Sequence, residues 1–148
     1  MSKGTAPAAR ENYCVFEGSF PTAPRWIEDE PDPEHPPGRE VIELLLRAAD
    51  PGLALDEIWS HEGFGWSFNC AVRRTTVNVL IQHPGHWLLI VRAVGILPRF
   101  WKGQTYDRAA REVATRLHSG LVASDRVVRL RWFTEDGYDD ASVTDRFF

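Results

Sequence analysis

Five histidines, two cysteines and a surplus of arginine over lysine are the side chains through which this 148-residue chain could do chemistry. His83-Pro84-Gly85-His86 sets two imidazoles at an H-x-x-H spacing on a turn signal, which is half of a metal site. Zinc takes three or four protein ligands, and no further His or Cys cluster stands near these two in sequence; His61, Glu62 or His118 would have to complete the set in space. The expectation is therefore a polar turn between two strands. His61-Glu62 puts a base beside a carboxylate just before Gly63-Phe64-Gly65-Trp66. Adjacent residues on extended backbone point to opposite sides, so the pair acts together only if the glycines bend the chain. Cys70 alternates with Phe68 and Val72, which turns its sulfur inward, and a thiol buried among apolar groups is a poor nucleophile. Two cysteines are too few for a disulfide framework, and Cys14 and Cys70 are expected as free thiols.

The remaining motifs are fragments. Gly63-x-Gly65 lacks the third glycine, the preceding strand and the following helix of a dinucleotide loop, and no phosphate-binding G-x-x-x-x-G-K-[ST] occurs. Asp136, Asp139, Asp140 and Asp145 lack the fixed Gly and Glu offsets of a calcium loop and are expected as a solvated acidic tail. No catalytic residue, cofactor or metal is assigned on this basis.

Charge is distributed unevenly. Residues 1–65 hold 5 basic and 13 acidic side chains, residues 66–134 hold 11 and 3, and residues 135–148 hold 1 and 5, for net charges of −8, +8 and −4 that sum to the −4 of the whole chain. Acidic ends flanking a basic middle point to self-screening or to an acidic partner met by the middle. The basic set includes Arg73, Arg74, Arg92, Arg99, Lys102, Arg108, Arg111, Arg116, Arg126, Arg129 and Arg131, interleaved with Phe100, Trp101 and Phe133. Arginine pairs phosphate bidentately and aromatic rings stack on bases, so a nucleic-acid reading exists. It ranks below a protein partner, because no nucleic-acid motif accompanies the arginines and the isoelectric point is near 5.7.

The elements that must carry these residues follow from periodicity. Residues 1–38 hold most of the ten prolines and the run Glu28-Asp29-Glu30-Pro31-Asp32-Pro33-Glu34, which predicts an acidic extended arm. Tyr13, Val15, Phe16, Phe20, Trp26 and Ile27 are too apolar for a wholly solvated arm and predict contact with the domain surface. A helix is expected over 39–49, where Val41, Leu44, Leu45 and Ala48 make one stripe before Asp50-Pro51-Gly52. A short strand is expected within 55–60. Period-two alternation then predicts strands from Phe64 to Val72, through Val77, Val79 and Ile81, and through Trp87, Leu89, Val91 and Ala93, joined by turns at Arg73-Arg74 and Pro84-Gly85. Residues 95–103 read as a loop, 105–119 as a helix with Thr105 as N-cap and Gly120 as its stop, and 126–133 as a last strand. In that strand Val128, Leu130 and Trp132 are expected to point inward. The fold class is α+β: an antiparallel β-meander of about four to five strands with two helices on one face, in the order α-β-β-β-α-β. The domain is expected over 39–134, with the arm before it and an acidic tail over 135–148.

This order resembles the fold of type III secretion chaperones and their relatives. The segment Trp87-Leu88-Leu89-Ile90-Val91-Arg92-Ala93-Val94-Gly95-Ile96-Leu97-Pro98 is similar to the strand, Gly and Pro exit that precedes the second helix in that family. The resemblance covers roughly residues 40–134; it implies a small acidic homodimer that binds a partner chain, and the chain departs from it in its long Pro-rich arm and in having no convincing final helix. Small immunity proteins that neutralise a toxin share this size and composition.

The expected function is thus non-enzymatic protein binding, chaperone-like or as an immunity-type inhibitor, with a toxin or secreted effector as partner. Trp and Arg are the types enriched at interface hot spots. Trp66, Trp87 and Trp132 fall on inward strand faces, which leaves Trp26, Trp59 and Trp101; the partner-binding candidates are Trp59, Arg92, Arg99, Phe100, Trp101, Arg129, Arg131 and Phe133, drawn from the Arg-rich second sheet face and the Trp59 and Phe100-Trp101 region. An Arg-mediated nucleic-acid binder masked by its acidic arm is the second reading, and an enzyme using His61 or His83 and His86 the third. Without a long apolar run or an apolar N-terminal segment, no membrane is involved and the cytoplasm is the expected compartment.

Overall fold

A computed structural model describes the backbone of residues 11–22, 36–49, 52–53, 57–61, 64–94 and 99–134, and all of their side chains except those of 61, 99–104 and 134. The elements run β1 Glu11–Gly18, α1 Arg39–Ala48, β2 Trp59–His61, β3 Gly65–Val72, β4 Thr75–Gln82, β5 Trp87–Val94, α2 Arg99–Ala123 and β6 Val127–Thr134. The strands form one six-stranded antiparallel sheet in the order β2-β3-β4-β5-β1-β6. The α+β class, the meander β3-β4-β5 and the two helices are as the periodicity predicts.

β1 changes the domain boundary drawn at residue 39. Glu11–Gly18 is an internal strand, paired with β5 on one side and β6 on the other. Proline content averaged over 1–38 hides it: residues 11–18 contain no proline, so every backbone N–H is available for a ladder. Cys14 and Phe16 are fully buried. β6 pairs with β1 and β1 with β5, both antiparallel, so β6 runs in the direction of β5 with a one-strand gap between them. A parallel return needs a crossover, and the 25-residue helix α2, about 37 Å long at ~1.5 Å per residue, carries the chain back along the sheet. The vacant position takes β1.

The core lies between one sheet face and the helices. Val41, Ile42 and Leu45 of α1 and Ala109, Val113, Ala114, Leu117 and Leu121 of α2 cover Phe16, Trp66, Phe68, Val79, Ile81, Trp87, Leu89 and Trp132. Trp66 donates through Nε1 to the buried Pro36 carbonyl at 2.8 Å. That bond ties the entry of α1 to β3. Gly38 caps α1 with φ 113°, a left-handed conformation that costs glycine little, and a Cβ there would crowd the Ile81 side chain at 3.2 Å.

Five local expectations are corrected. Residues 99–103 are helical rather than loop, because α2 starts directly after Pro98, a residue compatible with a helix entrance. Thr105 therefore lies inside the helix rather than at its cap. Gly120 does not stop α2, which continues to Ala123; a Cβ at 120 would overlap the Ala48 Cβ, so the glycine marks where the two helices touch. Phe64, expected inward, precedes the first residue of β3 and is 62% exposed. The last concerns β6. Val15 faces Arg131 but Glu17 faces Val128, a β-bulge with Arg129 at φ 53°. The extra residue shifts the alternation, so Leu130 and Trp132 pack inward while Val128 is 52% exposed.

The β3–β4 turn is also unusual. Arg73 (φ 50°) and Arg74 (φ 69°) both adopt left-handed conformations between directly paired Val72 and Thr75. Such a two-residue hairpin ordinarily carries Asn-Gly, and a side chain in this region costs about 1–2 kcal/mol per residue.

Candidate partner-binding face

The face of the sheet away from the helices can be read across the strands from the register. Trp59 stands opposite Ser67, Ser67 opposite Leu80, Leu80 opposite Ile90, Ile90 opposite Tyr13, and Tyr13 opposite Phe133. This single row crosses all six strands, about 24 Å at ~4.8 Å per strand spacing, and apart from Ser67 it is apolar or aromatic. Trp59 and Phe133, both singled out from sequence, lie at its two ends.

A polar row flanks it on one side and a mixed row on the other. On one side Asn69 pairs with Asn78, and Asn78 with Arg92, which faces Glu11. Asn78 donates from Nδ2 to Ser67 Oγ (2.8 Å) and Asn69 Oδ1 (3.0 Å), while Ser67 Oγ donates to the Val79 carbonyl at 2.9 Å. On the other side Gln82 faces Leu88, Leu88 faces Val15 and Val15 faces Arg131. Arg92 and Arg131 are both exposed, and neither forms an ion pair among the described residues. Tyr13 donates its hydroxyl to the Glu11 carboxylate at 2.8 Å, and Arg129 makes an exposed 3.5 Å ion pair with Glu17 beside the bulge.

The middle of this face is largely closed. Leu80, Leu88 and Phe133 are buried, Ser67 completely so, and Phe133 stacks on Tyr13 with ring centroids 6.0 Å apart. Phe133 is therefore a packing residue rather than an exposed contact. The accessible apolar positions sit at the margins: Trp59 at 37%, Val94 at 47% and Val128 at 52% exposure. Val94 and Val128 were not among the sequence-derived candidates; the first ends a strand and the second is turned outward by the bulge.

Arg99, Phe100 and Trp101 form the first turn of α2, a helix that packs on the opposite face; their side chains lie outside the described residues, as do the side chain of His61, all of Glu62 and the segments 1–10, 23–35 and 135–148. His83 packs edge-on against Trp87 at 4.5 Å, His86 is exposed, and His118 Nδ1 accepts a 3.0 Å hydrogen bond from Trp132 Nε1. Among the described residues no three His, Cys, Asp or Glu side chains gather where they could hold a metal ion. Cys14 and Cys70 are buried free thiols; burial pushes the Cys14 thiol well above its ordinary range, and a hydrogen bond with the Arg131 backbone opposes this only in part.

No described helix is long and apolar enough to cross a membrane. Comparison with protein-family models, with curated proteins and with solved structures finds no match for this chain.

Proposed function

We propose that the protein is a non-enzymatic binding domain for a partner protein with an acidic surface, engaged by the outer sheet face through Trp59, Arg92 and Arg131. The observation that carries this reading is the placement of two exposed arginines without ion pairs on either side of an apolar cross-strand row. An arginine facing solvent across a half-polar sheet gains little from the fold itself. Against a carboxylate it makes a bidentate, charge-assisted pair, and Trp59, at the β2 end of the same face, offers a separate apolar contact. A chaperone-like binder of a secreted effector and an inhibitor of a toxin both fall within this class of function.

Co-purification of full-length protein from its native cell, compared with Arg92→Glu/Arg131→Glu and Trp59→Ala, tests the reading. A recurrent partner captured by the parent and reduced at least tenfold by the charge-reversed variant, with its melting temperature unchanged, is the expected result. Recovery of no partner, or of the same partner in equal amount with all three proteins, ends the proposal. Deleting residues 1–38 to unmask an Arg-mediated nucleic-acid site is not a clean test, because the deletion removes β1 from the middle of the sheet.

A further inference from the structure

The far end of the meander presents a second cluster of arginines, independent of the outer sheet face. Val72 and Arg73, at the β3–β4 turn, and Thr105, Arg108 and Ala109, from α2, line a cavity of about 140 Å³. Val72 and Ala109 are buried and form an apolar floor, while Arg108 and the Thr105 hydroxyl come from the exposed side of the helix. The space is large enough to admit a tetrahedral oxyanion.

Three features give this cavity a ligand preference. Arg74 stands next to it in the turn, and neither Arg74 nor Arg108 makes an ion pair among the described residues. Among the described residues Arg73 has one acidic contact, a loose one with Glu112 at 3.7 Å, with both side chains partly exposed. The two guanidinium groups that line the cavity, Arg73 and Arg108, against the single carboxylate of Glu112 leave the lining positive. The turn itself holds Arg73 and Arg74 at φ 50° and 69°, where Asn-Gly would be relaxed. Backbone strain retained at a position that also lines a cavity points to a functional side chain.

We propose that this cavity binds a phosphate group, clasped between the guanidinium groups of Arg73 and Arg108 with the Thr105 hydroxyl donating to a third oxygen. Guanidinium matches phosphate through paired N–H donors, and the apolar floor lowers the local dielectric around the pair. Glu112 competes with the ligand for Arg73, so occupancy displaces that ion pair.

Titration of the full-length protein with inorganic phosphate at constant ionic strength, followed by thermal shift and by backbone amide NMR, tests the site. Saturable binding is expected, with shifts at residues 73–75 and 105–109 and none from matched chloride. Arg108→Gln should weaken it at least tenfold with the melting temperature unchanged. Arg73→Asn/Arg74→Gly should weaken it similarly while raising the melting temperature, since it relaxes the turn. Glu112→Gln should tighten it severalfold, a gain that a purely structural role for these residues would not produce. A phosphomonoester such as glycerol phosphate binding more tightly than phosphate identifies a phosphorylated ligand; equal affinity identifies free phosphate. Absence of saturation up to about 50 mM, the same response to chloride, or full binding in both arginine variants overturns the proposal.

Discussion

Cys14 shows how burial alone fixes a side chain's chemistry. It faces Leu89 on one side and Trp132 on the other, within the apolar layer under α2. An ionised thiolate there would have no water and no cation, so the proton stays on. Alkylation of the folded protein at pH 8 followed by peptide mapping should leave Cys14 unmodified until denaturant is added, and labelling at the rate of a free thiol would contradict the packing. The same shift has a pH consequence. The unfolded chain loses this proton near the ordinary 9.0, whereas the folded chain keeps it to higher pH. Below 9.0 both states hold the proton and stability is unaffected; above it only the unfolded state ionises, so stability falls by up to ~1.4 kcal/mol per pH unit. Denaturation curves between pH 8 and 10.5 should show this slope in the parent and a shallower one in Cys14→Ala.

Among the elements, the helix pair was partly legible in sequence and partly misread for a physical reason. The stripe Ala109, Ala110, Val113, Leu117 and Leu121 is visible from spacing and is buried. Gly120 has two meanings that spacing cannot separate, a stop or a close approach, and the crossing with Ala48 decides for the second. Gly120→Ala should gain about 1 kcal/mol of helix propensity but lose about 1–3 kcal/mol to overpacking, a net loss that urea denaturation would read. Adding Ala48→Gly relieves the overlap, so the double variant should recover part of the loss; additive losses would show that the helices do not touch there. The β6 bulge is a similar case. Alternation is correct on each side of Arg129, but one inserted residue inverts the phase, which put Val128 inward on paper and outward in the fold. Trp59, Arg92 and Arg131 were identifiable as candidates from residue type. Their alignment about one cross-strand row was not, because register is a property of the pairing rather than of any one strand.

For the whole molecule, β1 joins the first segment of the chain to the last. Its ladder to β5 runs from Glu11 to Phe16 and its ladder to β6 from Asn12 to Gly18, so the sheet is continuous only when it is in place. Hydrogen exchange should find the amides of 12–16 among the slowest, opening only with global unfolding; rapid exchange there would restore the picture of a surface arm. The insertion also sets a timetable. Of the described strands β1 leaves the ribosome earliest, and the residues it pairs with in β6 follow roughly 110 positions later, on the order of 5–20 s at ~5–20 residues per second. During that interval β1 has at most one neighbour and its outer backbone edge is open to other chains. Contacts of such long sequence separation also slow folding after release. Nascent chains ending before residue 127 should therefore be the species most prone to aggregate, and the strand synthesised first is the one whose place is secured last.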